Sequence, residues 1–154
     1  SDKFISLNAQ VNAANVGTHN IRKYKDINCL IINETELQYE MRQREGDRVE
    51  LAATLKESIN ANYISVTSGK EGAFLLDGAK VPVTCPGFAA QVVDKIGSGD
   101  ALLSLLSISL YNKFNGDLSL FIASIAAGQS VETLGNSKPV NKVGLLKIIS
   151  HFLK

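Results

Sequence analysis

Asp100 is the residue in this chain best placed by its neighbours to do chemistry. It follows three small residues, Gly97, Ser98 and Gly99, and precedes a long apolar stretch, Ala101–Tyr111. A turn of glycines running into a helix brings the first helical amides toward one point, because those N–H groups have no intrahelical partner. Glycine lets a ligand approach the backbone closely, so such a turn is suited to hold an anion. A carboxylate in the same first turn can take a proton from an attacking hydroxyl. The amides meanwhile hold the charge that develops on a transferred phosphoryl group. The same residues also fit a plain glycine turn in which Asp100 only caps its helix, and the motif alone leaves both readings open. It is neither a Walker A, which needs Gly-Lys-Ser/Thr, nor a dinucleotide fingerprint.

The elements that would position this turn follow from the apolar pattern. Phe4–Leu7 reads as a short strand and Asn8–Asn20 as a loop rich in Asn, Ala and Gly. Ile27–Ile32 is a continuous apolar run, the mark of a strand buried on both faces of a parallel sheet. "ETELQYEMRQ" reads as a helix with acids in its first turn. Asp47–Ile59 reads as an amphipathic helix with Val49, Leu51, Ala52, Leu55 and Ile59 on one side. Asp47 and Glu50 suggest its capping box. Tyr63–Val66 is the next strand, and Asp77-Gly78 marks a hairpin. "AAQVVDKIG" reads as an edge-to-core strand entering the glycine turn. Helices are expected over Ser98–Lys113, Leu118–Thr133 and Val140–Phe152, the last opened by Pro139. The order predicts a layered α/β domain.

Composition narrows the function. The chain has 154 residues, 45% hydrophobic and 20% charged, which fits one folded domain. A net charge of +1 without a long basic run argues against a dedicated nucleic-acid binder. Arg22, Lys23 and Lys25 read as a solvated surface. Cys29 and Cys85 lack metal-ligand spacing and read as free thiols of a reducing cytoplasm. His19 and His151 are isolated. The start "SDKFISL" has no signal-peptide pattern. No segment approaches the ~20 apolar residues of a membrane span.

"DKIGSGDA" resembles the Asp-Thr-x-Gly-Ala-Gly-Asp signature of ribokinase-like carbohydrate kinases. Two further stretches stand in that family's order and approximate spacing. "INETE", Ile32–Glu36, is similar to its Asn-x-x-Glu motif, and "VTSGKEGAF", Val66–Phe74, resembles its strand and Gly-rich turn beside the nucleotide. The tail "IAAGQSVETLGNSKPV" resembles the kinases that phosphorylate heptose phosphates for lipopolysaccharide inner-core synthesis. "NAQVNAANVG" resembles sugar kinases fused to, or encoded beside, nucleotidyltransferases.

The resemblance implies a ribokinase-like three-layer sandwich, with a mostly parallel sheet flanked by helices. It implies that residues 1–154 form a single domain, the nucleotide-binding and catalytic half. The N-terminal half that carries most of the sugar pocket would be absent. Roles follow residue by residue. Asp100 is the implied general base, and Gly97, Ser98 and Gly99 the implied anion hole. Asn33 and Glu36 are implied to organise Mg²⁺, chiefly through water. Ser68, Gly69, Gly72, Ser124 and Gly128 are implied to border ATP. Asp94 and the Ile96 carbonyl stand where many relatives bind a monovalent cation. Lys95 replaces the signature's Thr, Ser98 its Ala, and Ser124 stands where several relatives have Asn.

The implied activity is ATP-dependent phosphoryl transfer to the hydroxyl of a sugar or sugar phosphate, in the cytoplasm. A non-catalytic nucleotide-binding or assembly module of a bifunctional kinase/nucleotidyltransferase is the alternative from another class. A vitamin or pyrimidine kinase of the same superfamily is a third reading, disfavoured by the clean "NETE". Half a domain should expose a sheet edge and an apolar face. A homodimer, or association with the missing half, is therefore expected, with negligible activity for the piece alone.

Overall fold

The computed structural model describes residues 3–10, 20–79, 81–89, 91–94, 96–132, 134, 137 and 139–152. The chain divides into two compact units. The first comprises Ser1–Ser68 with Phe74–Val83, and the second Gly69–Ala73 with Thr84–Lys154. A sheet of order β1-β2-β3-β4-β5 is built from β1 (Ser6–Asn8), β2 (Cys29–Asn33), β3 (Tyr63–Thr67), β4 (Ala73–Leu76) and β5 (Val83–Cys85).

In the first unit β1, β2 and β3 run parallel. Ser6 pairs with Cys29 and Asn8 with Ile31, while Cys29 pairs with Tyr63 and Asn33 with Thr67. The helices α1 (Glu34–Met41) and α2 (Arg48–Ser58) cover one face. Their Leu37, Leu51, Ala52 and Leu55 pack with Leu30, Ile32, Ile64, Val66, Phe74 and Leu76. Cys29, Ile31, Ser65 and Leu75, which alternate with those strand residues, are also fully buried. This two-sided burial is why β2 reads as an unbroken apolar run. Each buried aliphatic side chain stabilises the fold by about 1.5–3 kcal/mol over an exposed one.

Sequence and structure agree on these elements and differ at their ends. The first strand is Ser6–Asn8 rather than Phe4–Leu7, and the second Cys29–Asn33 rather than Ile27–Ile32. Asp47 caps α2 by accepting from the amides of Val49 and Glu50. The hairpin turn carries Gly78 at φ 98°, and Asp77 Oδ1 accepts from the Ala79 amide at 3.0 Å. The expected Asn8–Asn20 loop lies largely outside the described residues, as do His19 and Lys95.

The second unit holds α3 (Ser98–Tyr111), α4 (Gly116–Val131) and α5 (Lys142–Phe152). α3 and α4 pack along each other, and α5 lays Leu145, Ile148 and Ile149 against Phe121, Ile122, Ile125 and Ala126 of α4. Phe88, Phe121 and Phe152 meet edge to face, with ring centroids 5.2–6.0 Å apart. Asn141, not Pro139, opens α5: its Oδ1 accepts from the amides of Val143 and Gly144.

One expected element does not form. The described residues of "AAQVVDKIG" contain no strand. The amides of Val93 and Asp94 instead donate to the Val131 carbonyl at the end of α4. Val92, Val93 and Ile96 are exposed, Ile96 by 65%. Their apolar side chains imitate a buried strand in sequence, but a single line of residues cannot show which face is covered. Among the described residues, no helix is long and apolar enough to cross a membrane.

Candidate functional site

The glycine turn of the second unit has the geometry its composition demands. Gly97 stands at φ 87°, ψ −9°, a left-handed conformation open to glycine and costly for other residues. It is the N-cap of α3, so Ser98 is the first helical residue rather than the cap, and Gly97 makes no side-chain capping bond. The Ala101 amide donates to the Gly97 carbonyl at 3.0 Å, closing the first turn. Asp100 lies in that turn and is exposed. Its position places a negative charge near the positive end of the helix dipole. Just upstream, Asp94 Oδ1 accepts from the Ile96 amide at 3.0 Å.

Gly72, Gly69 and Gly128 prove to do three different things. Gly72 has φ 96°, and a Cβ there would lie 2.1 Å from the Cys85 carbonyl oxygen. Its bare backbone is therefore consumed by close packing on Cys85–Gly87. Gly69 is also left-handed, at φ 57°, but a Cβ there would meet nothing within 4 Å. It keeps an open approach to the turn Gly69–Glu71. A Cβ on Gly128 would press on the Phe88–Ala89 backbone at 3.2 Å, so this glycine lets the segment cross α4. Ser124 is buried on α4, and its Oγ has no hydrogen-bond partner among the described residues. Burial pushes the Cys85 thiol up, and the nearby Ser124 hydroxyl offsets part of that.

In the first unit, Asn33 and Glu36 close on one another. Asn33 Oδ1 accepts from the Glu36 amide at 2.9 Å, and Glu36 Oε2 accepts from the Asn33 amide at 3.0 Å. This is a complete capping box at the start of α1. Glu36 is only 9% exposed. The Asn-x-x-Glu spacing is thus also the spacing of a helix cap, and both residues are held rigid by it. No group of three or more His, Cys, Asp or Glu that could cage a metal occurs among the described residues. A pair of this kind fits a magnesium ion that keeps most of its waters.

Ser68 follows β3 and is engaged by a residue the sequence did not single out. Arg48 Nη1 donates to Ser68 Oγ at 3.0 Å and to Glu34 Oε2 at 3.1 Å. The Arg48–Ser68 contact spans 20 residues, beyond the reach of any local pattern. The basic cluster is exposed, as its composition suggested, and makes local surface contacts. Arg22 approaches Glu40 and Met41, Lys23 lies over the Tyr24 ring, and Lys25 donates to the Ser58 carbonyl. A groove on α5, lined by Val143, Leu146, Lys147, Ser150 and His151, contains none of the sequence-predicted site residues.

Known proteins give these features a family. A model described as pfkB family carbohydrate kinase matches residues 12–142. The bifunctional protein HldE of Magnetococcus marinus is 28% identical over 118 residues, covering 75% of this chain and 24% of that protein. HldE of Desulfatibacillum aliphaticivorans is 31% identical over the same share of each. Arabidopsis thaliana ribokinase, solved with ribose and ATP, superposes with a TM-score of 0.79 at 23% identity, over 95% of this chain and 47% of that one. Thermotoga maritima ribokinase gives 0.77 at 17% identity, over 98% and 50%. The chain spans about a quarter of the length of these curated relatives and about half of these solved ribokinases. The fold is ribokinase-like, with a mainly parallel sheet and flanking helices, and the chain belongs to the pfkB family of carbohydrate kinases.

Proposed function

We propose that this chain is the nucleotide-binding, proton-accepting part of an ATP-dependent kinase that phosphorylates a hydroxyl of a sugar or sugar phosphate. The observation that carries the reading is the start of α3. A left-handed Gly97 turns the chain into a helix whose first turn bears an exposed Asp100. Asp100 takes the proton of the attacking hydroxyl as its oxygen bonds to the γ-phosphorus of ATP, and the bond to the ADP oxygen breaks. The amides of Gly97, Ser98 and Gly99 stabilise charge on the phosphoryl oxygens. Gly69 offers the open backbone a nucleotide would approach, with Ser68, Gly72, Ser124 and Gly128 bordering it or shaping its surroundings. Asn33 and Glu36 would hold Mg²⁺, which would supply positive charge beside the phosphates.

The tail Ile125–Val140 supports a heptose-phosphate-like acceptor. The bifunctional naming of the relatives supports a place beside a second activity. In this reading the chain works with a sugar-binding part not contained in residues 1–154. The test is Asp100→Asn in the complete protein. Turnover of a heptose phosphate should fall by about 10²–10⁴-fold, the usual contribution of a general base. Affinity for Mg·ATP should change by no more than about twofold. Full turnover by the variant removes the base assignment. Wild-type protein that binds Mg·ATP but transfers nothing would favour a non-catalytic nucleotide module.

A further inference from the structure

We propose that Arg48 is a positioning residue for the nucleotide, aiming the Ser68 hydroxyl at a phosphate oxygen. The inference rests on the kinase reading above, and it starts from an arginine in an unfavourable place. Arg48 is the first residue of α2. A cation there opposes the helix dipole rather than complementing it. The ion pair with Glu34 has side chains 40% and 35% exposed, and pairs this exposed add little to stability. The Glu34 ion pair by itself therefore gives a weak reason for Arg48.

Its location and its chemistry give a stronger one. Glu34 follows Asn33, and Ser68 follows Thr67, and Asn33 and Thr67 are paired in register. Arg48, Glu34 and Ser68 thus gather at the carboxyl ends of two adjacent parallel strands, the edge where open α/β sheets bind ligands. A serine hydroxyl has one donor and two acceptor sites, whereas arginine has donors only. When Arg48 donates to Ser68 Oγ, it occupies an acceptor site and turns the hydroxyl hydrogen outward. Among the described residues nothing takes that hydrogen. An oxygen-rich anion beyond β3 would accept it. Glu34 keeps the guanidinium from swinging toward the anion itself, so Arg48 acts through Ser68.

The experiment compares wild type, Arg48→Ala, Arg48→Lys, Ser68→Ala and the double alanine variant in the complete protein, with Mg·ATP and adenosine as probes. Arg48→Ala and Ser68→Ala should each raise Kd and KM for Mg·ATP by about tenfold, the size of one hydrogen bond to a charged group. kcat should stay within about twofold, as for a lost binding contact. The double variant should be no weaker than the worse single one, because the two residues act as one unit. Lysine, still a donor but without the fork, should recover part of the affinity. Adenosine binding should not change. Equal losses for adenosine would move the contact to the ribose and overturn the phosphate assignment. Unchanged Mg·ATP affinity in folded Arg48→Ala, or additive losses in the double variant, would overturn the inference while leaving the kinase reading intact. Wild type that fails to bind Mg·ATP overturns both. Should Arg48→Ala not fold, Ser68→Ala and Arg48→Lys carry the same contrast.

Discussion

Two helix starts in this molecule solve the same problem in opposite ways. α1 begins with Asn33 in an extended conformation, and the side chains of Asn33 and Glu36 answer each other's backbone amides. α3 begins with Gly97 in a left-handed conformation, with no side chain to offer. Both must satisfy the same first-turn N–H groups. The first start is sealed by its own residues, and whatever answers the amides of the second must come from beyond its cap residue. The sealed start holds two polar side chains rigid at the end of β2. The glycine start turns the chain through a left-handed residue and puts a carboxylate, Asp100, in the first helical turn. The difference shows that one start is defined by the side chains that cap it and the other by its backbone conformation.

The glycine start should be the harder to alter. Gly97→Ala forces a side chain into a left-handed turn at a cost of about 1–2 kcal/mol. Turnover should fall by at least about tenfold, since small displacements of reacting groups are costly. Kinetics and thermal melting on the same variant separate the two effects, and unchanged turnover would remove the special status of this start. The sealed start should break in two separable ways. Asn33→Ala should cost about 1 kcal/mol in a melting experiment through loss of the cap. Glu36→Gln keeps an oxygen for the Asn33 amide and should cost less than about 0.5 kcal/mol. It should still raise the Mg²⁺ concentration needed for half-maximal rate, by about threefold or more, since it removes the carboxylate charge that attracts the ion. A glutamine variant with unaltered Mg²⁺ dependence would reduce Glu36 to a cap.

A pH-dependent effect concerns the strand beneath the sealed start. Cys29 opens β2, and burial pushes its thiol up from 9.0 to about 12. The unfolded chain therefore releases this proton first as pH rises. Its contribution to stability is complete below pH 9 and is lost progressively between pH 9 and 12. By pH 9.5 the loss should be on the order of 1 kcal/mol. Denaturation curves at pH 7.5 and 9.5 would show it, and Cys29→Ala should abolish the difference. A wild-type slope that survives in Cys29→Ala would place the titrating group elsewhere.

These contrasts also mark what a single sequence can disclose. β2, α2 and the start of α3 were legible because period, cap and glycine signals are local. Asn33 and Glu36 were legible as a motif, but their mutual hydrogen bonds emerge only when the backbone is folded. The exposed Val92, Val93 and Ile96 misled because hydrophobicity reports what can be buried, not what is. Arg48 was missed because its partners, Glu34 and Ser68, lie 14 and 20 residues away. The division of labour among Gly69, Gly72 and Gly128 was hidden for a related reason. Each is a glycine in the sequence, and only the neighbouring backbone tells whether the space is open or filled.

Gly72 has a consequence for anyone who diversifies this protein. Even one methyl group at that position would strike the Cys85 carbonyl, and the backbone angle is itself hostile to side chains. A mutagenesis library should hold codon 72 fixed and spend its diversity at codon 69. There a Cβ would meet nothing within 4 Å, so the toll is the torsion, and variants can survive long enough to be screened.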